Sequence, residues 1–158
     1  MTTTLPDVKT IERNWLLVDA TDQPLGRLAS QLVALLRGKH KVTFTPFFDT
    51  GDFVVVIHAD KVKVTGQKRA QKQYTRYTGY PGGLRTMTMD DMFQKHPDRV
   101  ITKAVNGMMP DGPLGRKMMT KLKVYAGANH PHQAQRPVVW TPPARGLAKK
   151  TAKPATSP

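Results

Sequence analysis

Two short apolar runs flank one amphipathic stretch in the first part of the chain. Residues 15–18 and 53–57 are continuous hydrophobic runs without polar alternation, a pattern that predicts strands buried on both faces, as in a parallel sheet. Between them, hydrophobic residues recur at helical spacing over residues 24–37, and Gly38 follows as a candidate C-terminal stop. Strand, helix and strand in this order predict a right-handed βαβ crossover.

The second part of the chain predicts three short helices and one last strand. Thr88 and Asp91 have the spacing of a capping box, which predicts a helix that ends before Pro97. Upstream of it, residues 62–66 alternate and predict either an edge strand or the start of a short helix, whereas residues 67–87 show no core-forming periodicity. Downstream, the same signals predict helices over residues 98–109 and 113–121 and a strand over residues 122–125.

Length and composition predict one domain with extensions. In the 158 residues we expect an irregular lead-in over residues 1–13, an α/β domain over residues 14–140 and a disordered basic tail over residues 141–158. The chain contains no Cys, which excludes disulfides, thiolate zinc sites and cysteine nucleophiles. It shows no secretory signal, and no apolar run approaches the ~20 residues of a membrane span, so we expect a cytosolic protein with no membrane partner.

Positive charge is concentrated in two segments that contain no carboxylate. The chain has 25 Lys and Arg against 11 Asp and Glu, a formal net charge of +14. Residues 61–89 hold seven of these cations and residues 112–158 hold nine, with no Asp or Glu in either segment. Like charges concentrated in this way repel one another unless a polyanion neutralises them. Nucleic acid is the simplest such partner, because each phosphate contact releases counterions.

The first acid-free segment interleaves cations and amides with tyrosines and glycines. Lys and Arg bind phosphates, Tyr stacks on splayed bases, and consecutive glycines can offer backbone N–H groups to an anion. The alternative is a solvated edge strand and loop whose tyrosines pack on the body, and for Tyr74 and Tyr77 the two interpretations have about equal weight. The predicted contacts here are Lys68, Arg69, Lys72, Arg76, Tyr77, Tyr80, Gly82, Gly83 and Arg85.

Further candidate contacts follow the first predicted helix and surround the last one. The cations after the first helix could also stabilise its C-terminal dipole, and the two roles are compatible. A His-Pro-His turn in a basic stretch favours contact with phosphates or bases over a zinc site, because no thiolate accompanies it. These candidates are Arg37, Lys39, His40, Lys41, Arg116, Lys117, Lys121, Lys123, Tyr125, His130, His132 and Arg136.

No motif for catalysis or for a cofactor stands out. The chain has no Walker-type phosphate loop and no dinucleotide-binding glycine motif, and residues 112–117 resemble a phosphate loop only loosely. Asp90 and Asp91 suit the first turn of a helix, and we interpret Asp49 and Asp52 as turn residues. We therefore expect no catalytic residue, cofactor, metal or small-molecule substrate. An enzyme acting on nucleic acid and a DNA-binding protein are the rival classes, but the chain shows neither a metal cage nor a recognisable DNA-binding motif.

Ten ordered motifs carry a resemblance to a known family. They are WLLVDA at 15–20, LGRLA at 25–29, LRGKH at 36–40, GDFVVV at 51–56, VTG at 64–66, YTGYPGG at 77–83, VNGMMP at 105–110, PLGR at 113–116, LKVYAG at 122–127 and HPHQAQ at 130–135. Through this set, over about residues 14–137, the chain closely resembles the L-thirteen family of large-subunit ribosomal proteins in its bacterial form.

The resemblance implies a fold, a role and a set of contacts. The fold is a three-layer α/β/α domain around a parallel four-stranded sheet. The role is binding to large-subunit (23S-type) ribosomal RNA and early action in subunit assembly, beside neighbouring large-subunit ribosomal proteins and without catalysis or cofactor. The contacts carried over by position are Arg37, Lys39, His40, residues 77–83, Gly115, Arg116 and residues 123–132. Residues 1–8 and 141–158 match nothing in the family, so ribosome contact there is a hypothesis from charge alone.

Overall fold

A computed structural model describes residues 11–141, which form a four-stranded main sheet, a two-stranded hairpin and five α-helices. In chain order the elements are β1 (Trp15–Asp19), α1 (Leu25–Arg37), β2 (Phe53–Ile57), α2 (Lys68–Gln71), β3 (Gln73–Tyr77), β4 (Leu84–Thr88), α3 (Met89–Lys95), α4 (Pro97–Asn106), α5 (Pro113–Met119), β5 (Leu122–Val124) and β6 (Val138–Val139). Short 3-10 turns lie at Ala59–Lys61 and Gln133–Gln135. Most of the predicted lead-in and nearly all of the predicted tail lie outside the described residues.

The four strands of the main sheet run parallel, in the order β5-β2-β1-β6. Leu16 is in register with Val54, and Val54 with Leu122, so alternate residues of neighbouring strands share a face. The predicted strands at 15–18 and 53–57 are confirmed, with the parallel pairing that their unbroken hydrophobic runs indicate. The strand predicted over residues 122–125 is confirmed as β5, but it is not the last strand, because the two-residue β6 follows and pairs with β1.

One face of the main sheet packs against α1 and α4. α1 buries Leu28, Leu32 and Leu36, which recur at four-residue intervals along one side of the helix. Ile101 of α4 lies in the same cluster as Val54 of the central strand β2. Burial of each such side chain stabilises the fold by about 1.5–3 kcal/mol relative to leaving it exposed. The predicted helix over residues 24–37 is thereby confirmed.

The opposite face of the main sheet is covered by aromatic and aliphatic side chains. Val55 is fully buried, and Trp15 stacks on Phe53 with ring centres 4.5 Å apart. The ring of His132, from the segment after β5, lies 5.1 Å from Trp15. The strands are thus contacted on both faces, as their lack of polar alternation indicates. The α/β class with a parallel four-stranded sheet is confirmed.

The antiparallel hairpin of β3 and β4 forms where the sequence shows no core-forming periodicity. Tyr74 and Met87 lie opposite each other across the strands and pack against Met89, Met92 and Val100. They supply the hydrophobic contacts of the two strands with the body, whereas most other strand residues are exposed. One inner pair is too weak a signal to predict two strands.

Caps and special backbone conformations fix the element ends. Gly38 ends α1 in the left-handed conformation at φ 78°, which confirms the predicted stop. The Thr88 hydroxyl accepts a hydrogen bond from the Asp91 N–H at 3.3 Å, which confirms the predicted cap of α3. Residues 62–66 form neither a strand nor a helix, and one isolated parallel bridge joins Lys63 to Pro24. No helix within residues 11–141 is long and apolar enough to cross a membrane.

Candidate nucleic-acid interface

A buried carboxylate before β2 holds the loop after α1. Asp52 is 1% exposed, and its Oδ1 accepts hydrogen bonds from the Asn14 N–H and from the Lys41 ammonium. Its Oδ2 accepts from His40 Nε2 at 2.9 Å. Burial by itself would raise the pKa of Asp52, but these hydrogen bonds together outweigh burial and lower it. His40 and Lys41, both predicted to contact nucleic acid, therefore pair with a buried acid of the protein itself, although the His40 side chain remains 38% exposed.

Lys121 is an internal cation. It is 4% exposed, and its ammonium pairs with Asp49 and donates to the carbonyls of Leu36 and Gly51 at 3.2 and 3.0 Å. These partners occupy all three N–H groups of the ammonium. Burial lowers the pKa of Lys121, and the neighbouring Asp49 opposes that shift. The assignment of Lys121 as a nucleic-acid contact is therefore corrected, and so is the reading of Asp49 and Asp52 as simple turn residues.

Of the four contacts predicted at the end of α1 and in the loop after it, Arg37 and Lys39 remain available to a ligand. Arg37, in the last turn of α1, places its guanidinium carbon 5.9 Å from the ring centre of Phe44. Lys39 is exposed. Neither side chain forms an ion pair with a carboxylate in the part of the chain that the structure describes.

The hairpin presents cations and aromatic rings with no acid among them. Arg76 and Arg85 are exposed and lie directly opposite each other across the two strands. Like charges in this arrangement repel, so the protein alone holds an unfavourable pair that an anion would relieve. Tyr77 and its cross-strand neighbour Leu84 are 64% and 62% exposed, and Tyr80 in the loop is 75% exposed. Exposed rings of this kind can stack on unpaired bases.

Glycines shape the loop between the two strands. Gly82 adopts a φ of 71°, in the region that favours glycine. At Gly83 a Cβ would lie 2.8 Å from the backbone carbonyl oxygen of Tyr80 and 2.1 Å from the Thr78 hydroxyl, so a side chain would force the turn to shift. The Gly83 N–H donates to the Tyr80 carbonyl at 2.9 Å. The expectation that both glycines offer N–H groups to an anion is therefore corrected for Gly83, whose role is to close the turn that carries Tyr80.

α2 and the residue that follows it place three predicted cations at the base of the hairpin. Lys68 and Arg69 are exposed, and the guanidinium carbon of Arg69 lies 5.2 Å from the ring centre of Phe93. The Lys72 ammonium lies 5.4 Å from the ring of Tyr74. Tyr74 itself packs on the body, and its burial raises its pKa. These contacts position the charged groups of Arg69 and Lys72, and both residues remain exposed.

Tyr125, His130 and His132 form an aromatic cluster after β5. The Tyr125 hydroxyl lies 2.9 Å from His132 Nε2, and the two imidazole rings stack with centres 6.5 Å apart. His130 Nδ1 is buried without a hydrogen-bond partner among residues 11–141. No group of three His, Cys, Asp or Glu able to hold a metal ion occurs in that part of the chain. The structure thus brings these three predicted residues together, each partly exposed.

Nine further predicted cations share the property of Lys39: each is exposed and forms no ion pair within residues 11–141. They are Lys68, Arg69, Lys72, Arg76, Arg85, Arg116, Lys117, Lys123 and Arg136. Sequence reasoning misses Lys63 and Lys103, which line the same cleft as Lys68 and Lys72. Lys63 belongs to the first acid-free segment, whereas Lys103 lies on α4 outside it, where no sequence signal marks it.

Comparison with known proteins identifies the family. Residues 13–131 match the family described as Ribosomal protein L13. The chain is 57% identical over 137 residues to the large ribosomal subunit protein uL13 of Microcystis aeruginosa and 58% identical over 137 residues to that of Synechococcus elongatus, in each case over 87% of this chain and 91% of the relative. It is 56% identical to the protein of the same name from Coxiella burnetii, over 87% of this chain and 96% of the relative. The chain belongs to the ribosomal protein L13 family, a family of structural, non-enzymatic ribosomal proteins.

Proposed function

We propose that this protein binds large-subunit ribosomal RNA and acts early in assembly of the large ribosomal subunit, beside neighbouring ribosomal proteins. The observation that carries the proposal is a set of ten predicted contacts, Lys39 among them, which are exposed cations without an acidic partner in the described part of the chain. The names of the relatives, which place those proteins in the large ribosomal subunit, support it.

The proposed mechanism combines phosphate neutralisation with limited base stacking. The α/β body positions the hairpin, α5 and β5, whose cations neutralise phosphates where RNA strands approach one another. Tyr77 and Tyr80 stack on unpaired bases and set the register, because phosphate contacts alone carry no sequence information. Relief of the repulsion between Arg76 and Arg85 favours the bound state.

Salt dependence tests this mechanism directly. If about 8–10 phosphates are contacted, the logarithm of the association constant for purified large-subunit RNA falls with the logarithm of salt concentration with a slope of roughly −6 to −9. Filter binding at several salt concentrations measures the slope. A slope shallower than about −2 contradicts the mechanism.

A matched pair of variants separates these cations from general positive charge. One variant replaces four proposed contacts by Ala, namely Arg76, Arg85, Arg116 and Lys123. The control replaces four exposed cations from outside both acid-free segments, namely Arg13, Arg27, Lys95 and Arg99. Both variants lose four positive charges. The salt slope of the first variant should become shallower by about 3, whereas the salt slope of the control should change little. Equal losses would mean that only net charge matters, and unfolding of the first variant would assign its cations a structural role.

The assembly part of the proposal has its own measurement. Reconstitution of large subunits from purified RNA and proteins without this chain should accumulate particles that lack later-binding proteins, as seen by sedimentation and mass spectrometry. Complete particles that lack only this chain would contradict an early role.

A further inference from the structure

One cleft in the structure collects lysines from separate elements. It has a volume of about 330 Å³ and lies between the start of α1, the end of α4 and the base of the hairpin. Its four lysines are Lys63, Lys68, Lys72 and Lys103, and no Asp or Glu lines it. Because Lys103 comes from α4, outside the acid-free segment, this convergence is produced by the fold and not by a cluster in the sequence.

Three of these lysines have no acidic partner in the described residues. Lys63 pairs with Asp22 at 3.0 Å, but both of these groups are largely exposed. The ammonium groups of Lys72 and Lys103 lie 5.4 and 4.9 Å from the ring of Tyr74. One tyrosine ring thus positions two cations at the cleft wall, which makes the site complementary to an anion.

The start of α1 adds to the positive potential of the cleft. Gly26 lines it, and the first turn of α1 contains no acidic residue and has no side-chain cap. The helix dipole therefore contributes partial positive charge on the same side as the lysines. Apart from Thr65, the side chains of the remaining wall are apolar and include Leu25, Val64 and Met108.

We propose that this cleft receives one unstacked nucleotide of ribosomal RNA, with its phosphate among the lysines and its base against the apolar wall. The inference rests on the proposed RNA-binding function. The volume is at the lower end of the range for small-molecule sites, which suits one nucleotide and excludes a duplex. An acidic peptide would satisfy the lysines, but it carries its anionic and apolar groups on separate residues, whereas one nucleotide joins a phosphate to a flat base. A nucleotide satisfies both the lysines and the apolar wall, and single-stranded RNA presents its nucleotides with unstacked, accessible bases.

Gly26→Glu is the sharpest test, because it should change the cleft without harming the fold. A Cβ at Gly26 meets nothing within 4 Å, and an acid in the first turn of a helix is favourable. We expect an unchanged or higher thermal unfolding midpoint, with an affinity for purified large-subunit RNA at least about fivefold weaker and a salt slope shallower by about 1. Gly26→Gln controls for size, and Gln94→Glu adds the same charge at an exposed position outside the cleft.

The outcomes separate this inference from the function on which it rests. If the unmodified protein fails to bind the RNA, both proposals fall. If it binds and Gly26→Glu behaves like Gln94→Glu, the cleft proposal alone is overturned. Normal RNA affinity combined with weaker incorporation into reconstituted subunits would instead indicate an acidic protein segment, and would also overturn it.

Crosslinking locates the ligand independently of affinity. Ultraviolet irradiation of the complex, followed by nuclease and protease digestion, should give a nucleotide adduct on the peptides that contain Val64 or Met108, and the adduct should disappear in Gly26→Glu. Titration with a free mononucleotide and with inorganic phosphate, followed by amide NMR shifts, shows whether the cleft needs the whole RNA or only its phosphate. Adducts confined to the hairpin loop, with no shifts at the cleft, contradict the proposal.

Discussion

Basic side chains have opposite surroundings in two regions of this molecule. In the carboxylate cluster, formed by Asp49, Asp52, His40, Lys41 and Lys121, every basic side chain pairs with a buried acid. In the hairpin, formed by β3, β4 and residues 78–83, two exposed arginines face each other without an acidic partner in the described residues. The first arrangement stabilises the fold by itself, whereas the second is favourable only when an external anion completes it.

The comparison shows that charge counted along the chain does not separate structural cations from available ones. Lys121 and Lys123 lie two residues apart in the same acid-free segment, yet Lys121 is 4% exposed and Lys123 is an exposed residue. The acid that pairs with Lys121 is 72 residues away in sequence. A segment without acids in sequence can therefore still meet one in space.

The largest expected effect is the loss of stability in Lys121→Met. The change keeps the aliphatic stem but leaves Asp49 buried without its cation, and breaking a buried pair in this way costs about 3–5 kcal/mol. Urea unfolding followed by circular dichroism measures the loss.

Lys123→Met is the matched control for that variant. Because Lys123 is exposed, its free energy of unfolding should change by less than about 0.5 kcal/mol. The effects on RNA affinity should be reversed. Lys121→Met that remains folded should bind RNA normally, whereas Lys123→Met should bind it more weakly. Similar stability losses in both variants would remove the distinction between the two regions.

The next effect concerns the acid stability that Asp52 provides. Its pKa is lowered in the folded protein, so its contribution is present above the ordinary carboxyl pKa and is lost as pH falls through the folded value. Asp52→Asn should therefore cost about 2 kcal/mol at neutral pH, from the weakened bonds to Lys41 and His40. The cost should shrink below about pH 4.

The difference between wild type and variant is the quantity to follow across pH. Asp19 and Asp91 also have lowered pKa values, and their acid sensitivity is common to both proteins and cancels in the difference. Urea unfolding at a series of pH values gives this difference. A cost that stays constant down to about pH 2 would mean that the Asp52 carboxylate is not held ionised by its partners.

The parts of the fold that the sequence predicts are those with dense local patterns. β1, β2 and α1 follow from unbroken apolar runs and helical periodicity, and α3 follows from the Thr88 cap. β6 does not, because Val138 and Val139 are exposed and gain their strand conformation only by pairing with β1. The sequence does not predict the hairpin for a similar reason, because little more than the cross-strand pair of Tyr74 and Met87 packs against the body and leaves a hydrophobic pattern.

The residues of the candidate site also fall into a part that the sequence predicts and a part that it does not. Exposed cations such as Arg76 and Lys72 are predictable, because residues 67–87 contain no acid and show no core-forming periodicity. The internal roles of His40, Lys41 and Lys121 depend on contacts with Asp49 and Asp52 that only the fold creates. Local sequence shows which side chains are basic, and tertiary structure decides which of them remain free.

The smallest expected effect tests the hairpin alone, through a double-mutant cycle of Arg76→Thr and Arg85→Thr. In the free protein the coupling between the two arginines should be unfavourable by roughly 0.2–1 kcal/mol, because like charges lie directly opposite. Each single replacement should therefore stabilise the fold slightly while weakening RNA binding. The coupling should fade in about 1 M salt, where charges are screened within about 3 Å. A favourable coupling, or one that salt leaves unchanged, would mean that the guanidinium groups stabilise the hairpin by contact, and the hairpin would then resemble the carboxylate cluster in function.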